Sequence, residues 1–336
     1  MILGELEHPI VQAPMGGGPS TPELAAAVGE AGGLGFLAAG YRSIDAVRDD
    51  LASLRALSRR PFGVNLFAPP AAPGDPGEIE RYAVRLQGDA ERRGVALGEP
   101  RHDDDGWEDK LALCAAERVP LVTFTFGCPD AAALRRLREA GCATWVTVTT
   151  PEEAAAATRA GAEALVVQGA EAGGHRGSFD PGRPGEIGLL ALLQLVRTQT
   201  GLPLIATGGI ADRAGVAAVL AAGASAAQLG TAFMLAPEAG TADAHRRALR
   251  GDARTVLTRA FTGRPARGIE NRFIREHEEA APLAYPEVHH LTAPLRAAAR
   301  AAGDPDGLHL WAGQAYPMTR ELPAAQLLRE LAGQAA

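Results

Sequence analysis

The chain has 336 residues, of which 46% are hydrophobic and 22% charged, a composition with ample apolar material for a globular core. Its formal net charge is −7 and its arginines form no basic run, which argues against a nucleic-acid partner. Cys114, Cys128 and Cys142 are odd in number and form no CxxC pair, so neither a disulfide scaffold nor a metal site is indicated. No signal peptide and no apolar run of about 18 residues is visible, and we expect a cytoplasmic protein without membrane contact.

Short apolar runs alternate with longer helical patterns, which is typical of a parallel α/β sheet. Strands are predicted at residues 10–13, 35–38, 62–65, 121–124, 144–148, 164–168, 202–206 and 226–229. The segments between them begin with helix caps and end at glycine, as in TPELAAAVGEAG and TPEEAAAATRAG. Eight such units predict a (β/α)8 TIM barrel. An open doubly wound sheet is the alternative, disfavoured because no GxGxxG follows the first strand.

The expected domain organisation has three parts. Residues 1–236 form the barrel, with an insertion at about 69–105 that holds the helical pattern EIERYAVRLQGDAERRG. Residues 237–302 read as a helical cap over the barrel mouth, in the stretches ADAHRRALRG, IENRFIREHEEA and TAPLRAAARAAG. Residues 303–336 contain the amphipathic pattern ELPAAQLLRELAGQA, which is expected to return to the barrel wall.

Two reactive side chains are weak candidates for covalent catalysis. Lys110 is the only lysine and lies in the helical pattern WEDKLALCAAERV, whereas a Schiff base needs a desolvated lysine in a pocket. Cys128 follows the fourth strand in TFTFGCPD. A thiol nucleophile there would be expected of a barrel like inosine-monophosphate dehydrogenase, but no base or oxyanion hole is indicated beside it.

Ligands of a TIM barrel bind at the carboxyl ends of its strands, so the residues after each strand are the candidates. The first strand leads into QAPMGGGPS, where Ala13, Pro14 and Met15 begin a loop that lets the backbone approach a flat ligand. Asn65 ends the third strand in GVNLF. Its amide donates and accepts together, which suits the edge of a heteroaromatic ring.

The sixth strand ends at Gln168 and is followed by GAEAGGHRG, a segment poor in side chains. Gly173 and Gly174 leave room for a broad ligand against the backbone. His175 is then the group left to face a substrate, as a hydrogen-bond donor, a base or a cation. Arg176 either assists it or serves as a structural partner.

The seventh and eighth strands lead into ATGGIAD and QLGTAF, at the usual phosphate site of this fold. Their exposed amides suit an anion, and the candidates are Gly208, Gly209, Gln228, Leu229, Gly230 and Thr231. A phosphate site here, a glutamine at strand six and bare loops after strands one and six outline a flat ring with a phosphate tail. FMN fits this outline best.

The stretches QAPMGGG, GVNLF, QGAEAGGHRGSF, ATGGIAD and QLGTAF, together with YPEVHHLTAPLRAAA and LWAGQAYPMTRELPAAQLL, resemble the nitronate monooxygenase family, once called 2-nitropropane dioxygenases. The resemblance implies non-covalent FMN and oxidation of alkyl nitronates, typically propionate 3-nitronate, by molecular oxygen to a carbonyl product and nitrite. It also implies that Asn65, Gln168, Gly173, Gly209 and residues 228–231 contact FMN. His175 matches the family histidine, a base for neutral nitroalkanes or a substrate-binding group.

Alternatives remain open at this point. A flavin-dependent enoyl-acyl-carrier-protein reductase using NAD(P)H shares the barrel and a similar GGH loop, and a flavin-binding module without turnover is a further reading. Tyr285 and Tyr316 are the tyrosines expected nearest the site, and His289 with His290 reads as a surface or packing pair rather than a metal site. The chain is expected to act as a monomer or a homodimer.

Overall fold

The parallel strands close into a barrel in the computed structural model, which describes residues 2–334. The strands are β1 (Ile10–Gln12), β2 (Gly35–Ala38), β3 (Phe62–Phe67), β4 (Leu121–Thr125), β5 (Ala143–Val148), β6 (Ala164–Gln168), β7 (Gly174–His175), β8 (Leu204–Thr207), β9 (Ala226–Leu229), β10 (Thr255–Thr258) and β11 (Ala266–Ile269). Eight of them form one sheet in the order β1-β9-β8-β6-β5-β4-β3-β2, and a parallel bridge between Val11 and Leu34 joins its two edges. The predicted TIM barrel is confirmed.

Helices surround the barrel and continue beyond it. They are α1 (Pro22–Glu30), α2 (Ile44–Leu57), α3 (Pro76–Arg93), α4 (Trp107–Ala116), α5 (Ala131–Glu139), α6 (Pro151–Ala160), α7 (Leu189–Arg197), α8 (Arg213–Ala221), α9 (Asp243–Leu249), α10 (Arg272–His277), α11 (Glu287–Ala301) and α12 (Ala324–Leu331). Their starts follow local chemistry: the Thr21 hydroxyl accepts from the Leu24 amide at α1, and the Asp212 carboxylate accepts from the Gly215 amide at α8. No helix among residues 2–334 has the length and apolarity needed to span a bilayer.

Alternation along each strand separates two apolar layers. In β6, Ala164 and Val166 pack inside the barrel, while Leu165 and Val167 pack outward against the helices. The same alternation turns Gln168, the next residue inward, to the mouth of the barrel. Ile2 packs with the interior layer and contributes to closing its opposite end. The barrel is therefore a filled core whose open face is the carboxyl end of its strands.

A second apolar cluster lies over that face. It joins α3 of the 69–105 insertion to α11, with Tyr82, Leu86, Phe261 and Leu291 among its buried members. The insertion thus packs as part of the cap. At the other end of the chain, Leu327 and Leu328 of α12 are buried in the outer layer of the barrel, where α12 contacts α1 and α8.

The expectation of a purely helical segment at 237–302 was incomplete, because β10 and β11 lie within it. These strands pair antiparallel, and β11 also pairs with β7 of the barrel loop, setting Ala266 opposite His175. Four-residue strands carry little periodic signal, and the second partner of β11 lies about 90 residues away in the chain, so the sequence pattern did not indicate either strand. This small sheet fastens the cap to the loop that carries His175.

Candidate active site

A cavity of about 430 Å³ lies between the barrel mouth and the cap. Every residue proposed from the sequence as a ligand contact lines it: Ala13, Pro14, Met15, Asn65, Gln168, Gly173, Gly174, His175, Gly208, Gly209, Gln228, Leu229, Gly230 and Thr231. These residues come from the carboxyl ends of five strands and the turns that follow them: β1, β3, β6, β8 and β9. The structure therefore brings the predicted positions together, while their roles toward a ligand stay predictions.

The turns after β8 and β9 present backbone rather than side chains. Gly208 and Gly209 have φ of 116° and 69°, in the left-handed region that favours glycine. Thr231 begins a 3-10 turn, whose first amides have no partner within the turn. Within residues 2–334, the amides of Gly209, Gly230 and Thr231 donate to no protein acceptor. Such free, converging amides suit the oxygens of a phosphate, so this part of the cavity fits the tail of FMN.

Two amide side chains hold the barrel mouth in shape. The Asn65 Nδ2 donates to the hydroxyls of Thr123 and Thr125, both at 3.0 Å, which leaves its carbonyl oxygen without a protein donor in the described chain. Gln168 accepts from the Gly177 amide at 2.8 Å and donates to the His175 carbonyl at 3.1 Å. Asn65 thus offers a free acceptor to a ring edge, and Gln168 fixes the loop on which His175 lies.

His175 connects the barrel loop to the cap. Its Nε2 lies 2.9 Å from the Thr262 hydroxyl, and its ring packs at angles against Phe126, Tyr285 and Trp311. Burial, and then the charges of Arg264 and Arg296, lower the pKa of His175 to about 3. The imidazole of the ligand-free protein is therefore neutral at physiological pH, which favours a role as donor or base over the cationic role considered from the sequence.

The neighbouring Arg176 is structural. Its side chain is 1% exposed, and its guanidinium donates to the carbonyls of Gln168, Gly169, Pro184 and Gly185. These four bonds close the long loop between β6 and α7 on itself. Of the two roles proposed for Arg176, the structure supports the structural one.

Several side chains from the cap side were missed. Arg296 and His289 of α11, His309, Trp311 and Tyr41 all line the cavity. His289 stacks on Tyr41 with ring centroids 3.9 Å apart and lies edge-on to His290 at 5.3 Å, so it packs as expected, but its position in the cavity lining was not foreseen. His290 does face away, bonding Asp103 at 2.8 Å. The stretch HHLTAPLR does indicate an amphipathic helix with a polar, positively charged face. The local pattern does not indicate which part of the protein that face packs against.

The structure gives no catalytic role to the remaining tyrosine, cysteine and lysine candidates. Tyr316 lines the cavity, with its hydroxyl donating to the Ala253 carbonyl, whereas Tyr285 lies behind His175. Burial raises the pKa of Cys128 to about 11, so its thiol carries no nucleophilic thiolate at neutral pH. Lys110 is 3% exposed, and its ammonium pairs with Asp105 at 2.7 Å. Neither residue lines the cavity, and the structure gives no support to thiol or Schiff-base catalysis there.

The sequence model of the nitronate monooxygenase family matches residues 2–334. The chain belongs to the nitronate monooxygenase family. A nitronate monooxygenase of Pseudomonas aeruginosa is 41% identical over 354 residues, covering 98% of this chain and 96% of the relative. The family therefore makes this chain an oxidoreductase related to enzymes of nitronate oxidation.

Solved structures show the same relationship. The nitroalkane oxidase from Streptomyces ansochromogenes superposes with a TM-score of 0.96 at 53% identity, covering 99% of this chain and 97% of its own. FabK from Thermotoga maritima superposes with a TM-score of 0.77 at 30% identity, covering 98% and 93%. The barrel and its cap are thus shared as a unit within this group of folds.

Proposed function

We propose that this member of the nitronate monooxygenase family uses FMN and molecular oxygen to oxidise alkyl nitronates, with propionate 3-nitronate as the preferred substrate, to a carbonyl product and nitrite. The observation that carries the proposal is the cavity itself. It joins a backbone cradle suited to a phosphate, an uncharged slot suited to a flat ring, and a neutral histidine.

The residues present fit FMN. The amides around Gly208, Gly209, Gly230 and Thr231 would hold the phosphate, and Asn65 and Gln168 would meet the polar edge of the ring. The remaining predicted contacts would pack on its faces: Ala13, Pro14, Met15, Gly173, Gly174, Gln228 and Leu229. Bound FMN supplies the electron transfer between the nitronate and oxygen.

The chain's own part in the reaction is to place and polarise the substrate. A nitronate is already a carbanion equivalent, so no strong base is needed. The Nε2 of His175 lies 2.9 Å from the Thr262 hydroxyl, which also lies 3.3 Å from the Arg264 carbonyl. When the hydroxyl donates to that carbonyl it accepts from Nε2–H, and Nδ1 of His175 keeps a lone pair that can accept a proton from a neutral nitroalkane. Because burial, and then the charges of Arg264 and Arg296, disfavour an imidazolium, His175 is a weak base, and nitronates should be the better substrates.

The proposal is tested by oxygen uptake of the FMN-loaded protein with propionate 3-nitronate, in the absence of NAD(P)H. We expect rapid uptake together with formation of nitrite. A different result would favour the enoyl reductase alternative: FMN binds, the nitronate causes no oxygen uptake, and NAD(P)H is oxidised when an enoyl thioester is added. A protein that takes up no FMN would overturn the cofactor assignment as well.

A further inference from the structure

Arg296 is a cation facing the cavity without a counter-ion in the protein. No carboxylate of residues 2–334 forms an ion pair with it. Burial lowers its pKa to about 10, so the guanidinium stays charged at neutral pH. A desolvated charge is costly unless it is paired. The side chain is therefore suited to an anion that enters the cavity.

The guanidinium of Arg296 is held rigidly by its own helix. Its Nε donates to the Thr292 hydroxyl at 3.1 Å, and its Nη2 donates to the His289 carbonyl at 2.7 Å. The Nη2 also lies 3.2 Å from Nδ1 of His289, and because arginine only donates, that nitrogen must accept. The proton of the neutral His289 is therefore on Nε2. Two donors, the Nη1 of Arg296 and the Nε2–H of His289, have no protein acceptor in the described chain and remain available to an anion.

Ring contacts place this pair of donors toward His175. His289 stacks on Tyr41 with ring centroids 3.9 Å apart, and the Tyr41 ring lies 6.4 Å from that of Tyr285. The Tyr285 ring in turn lies 6.0 Å from that of His175. Because Arg296 bonds His289, both donors lie on the side of the cavity that carries His175.

We propose that Arg296 and His289 bind a carboxylate carried by the substrate, and so select nitronates with a second anionic group. The inference rests on the proposed function, since it assigns a residue to the substrate's non-reacting end. The donors available to the carboxylate oxygens are the free Nη1 of Arg296 and the Nε2–H of His289, and a hydrogen bond from a charged guanidinium to a carboxylate is among the stronger ones.

The chemistry explains why the partner is the carboxylate rather than the nitronate. A nitronate loses its negative charge as it is oxidised, so a cation bound directly to it would stabilise the ground state more than the transition state. A carboxylate keeps its charge throughout. Binding it stabilises both states equally, which lowers KM and leaves kcat unchanged.

The test compares propionate 3-nitronate with propyl-1-nitronate, in which a methyl group replaces the carboxylate. For Arg296→Gln we expect KM for propionate 3-nitronate to rise at least about 30-fold, with kcat nearly unchanged. KM for propyl-1-nitronate should change by less than about threefold, because this substrate has no carboxylate to meet Arg296. Arg296→Lys keeps the charge without the bonds to Thr292 and His289, so its KM for propionate 3-nitronate should lie between those of the wild type and Arg296→Gln. Arg275→Gln, which removes an exposed cation from α10, is the matched control for net charge.

The other outcomes overturn the proposal in distinguishable ways. Equal losses of kcat with both substrates would place Arg296 at the reacting nitronate, and loss of FMN from Arg296→Gln would assign it to the cofactor. Calorimetric titration of the FMN-loaded protein with succinate provides a readout without turnover. Binding weakened by Arg296→Gln supports the carboxylate site even if the wild type fails to oxidise nitronates, whereas unchanged succinate binding contradicts it.

Discussion

The two walls of the cavity differ in whether backbone or side chains face the ligand space. At the turns after β8 and β9 the wall is mainly backbone, where glycines 208, 209 and 230 present amides to the cavity. The cap wall is made of side chains: His289, Arg296 and Trp311, joined by Tyr41 from the loop after β2. The backbone wall suits a ligand with fixed shape and charge, such as FMN. Under the proposed function the cap wall carries the selective groups, so substrate preference could change there without altering the cofactor site.

Replacing His175, which joins the two walls, should have the largest effect. The amide of His175→Asn reaches only to the position of Nδ1, so the bond to Thr262 is lost, but the loop stays paired with β11 and we expect FMN to remain bound. Turnover of neutral nitroalkanes should fall about 100-fold or more, because an amide cannot accept the proton. Turnover of nitronates, which need no proton transfer to the protein, should fall much less. Steady-state kinetics on nitroethane and its nitronate measure this, and equal rates before and after the change would remove His175 from the mechanism.

The backbone wall is tested at Gly230, whose φ of −107° is open to any residue. A Cβ there would meet the Ala13 Cβ at 3.4 Å, an ordinary contact, so Gly230→Ala should bind FMN within about threefold of the wild type. Gly230→Asp sets a carboxylate against the phosphate and should weaken FMN binding about 30-fold or more. Fluorescence titration of the apo-protein measures both. Equal affinity of the Asp and Ala variants would show that the phosphate binds elsewhere.

The cap wall should make stability depend on pH. Burial lowers the pKa of His175 to about 3 and of His245 to about 4, and holds those of His289 and His309 well below the usual range. In the unfolded chain these imidazoles titrate near about 6.5. The unfolded state therefore binds more protons at low pH, and the stability present above about pH 6.5 is lost as the pH falls toward the folded values.

We expect the free energy of unfolding to fall between pH 7 and pH 5, by on the order of 1 kcal/mol for each of these histidines. The urea midpoint should fall with it. Carboxylates also contribute to acid sensitivity, so the informative quantity is the difference between the wild type and His309→Gln. That variant should show a shallower pH dependence over this range. An identical slope in both proteins would mean that His309 is not held neutral in the folded state.

Particular residues show how far the sequence could be interpreted. The turns after β8 and β9 were located because glycine at a strand end is a local signal of backbone conformation. Arg296 had no such local signal, because it is one of many arginines on helical patterns. Its position in the cavity depends on how α11 packs against α3 of the 69–105 insertion. Likewise β10 and β11 were missed because they are short and β11 is joined to the barrel through the distant loop at Gly174 and His175.

The sequence by itself determined the barrel, its strand ends and the positions that line the cavity from below. These features follow from alternation, helix caps and glycine turns, all of which act over a few residues. The tertiary structure alone decided the cap wall, the neutral state of His175 and the unpaired charge of Arg296. Burial and the proximity of distant charges set those properties, and both arise only when segments far apart in the chain pack together.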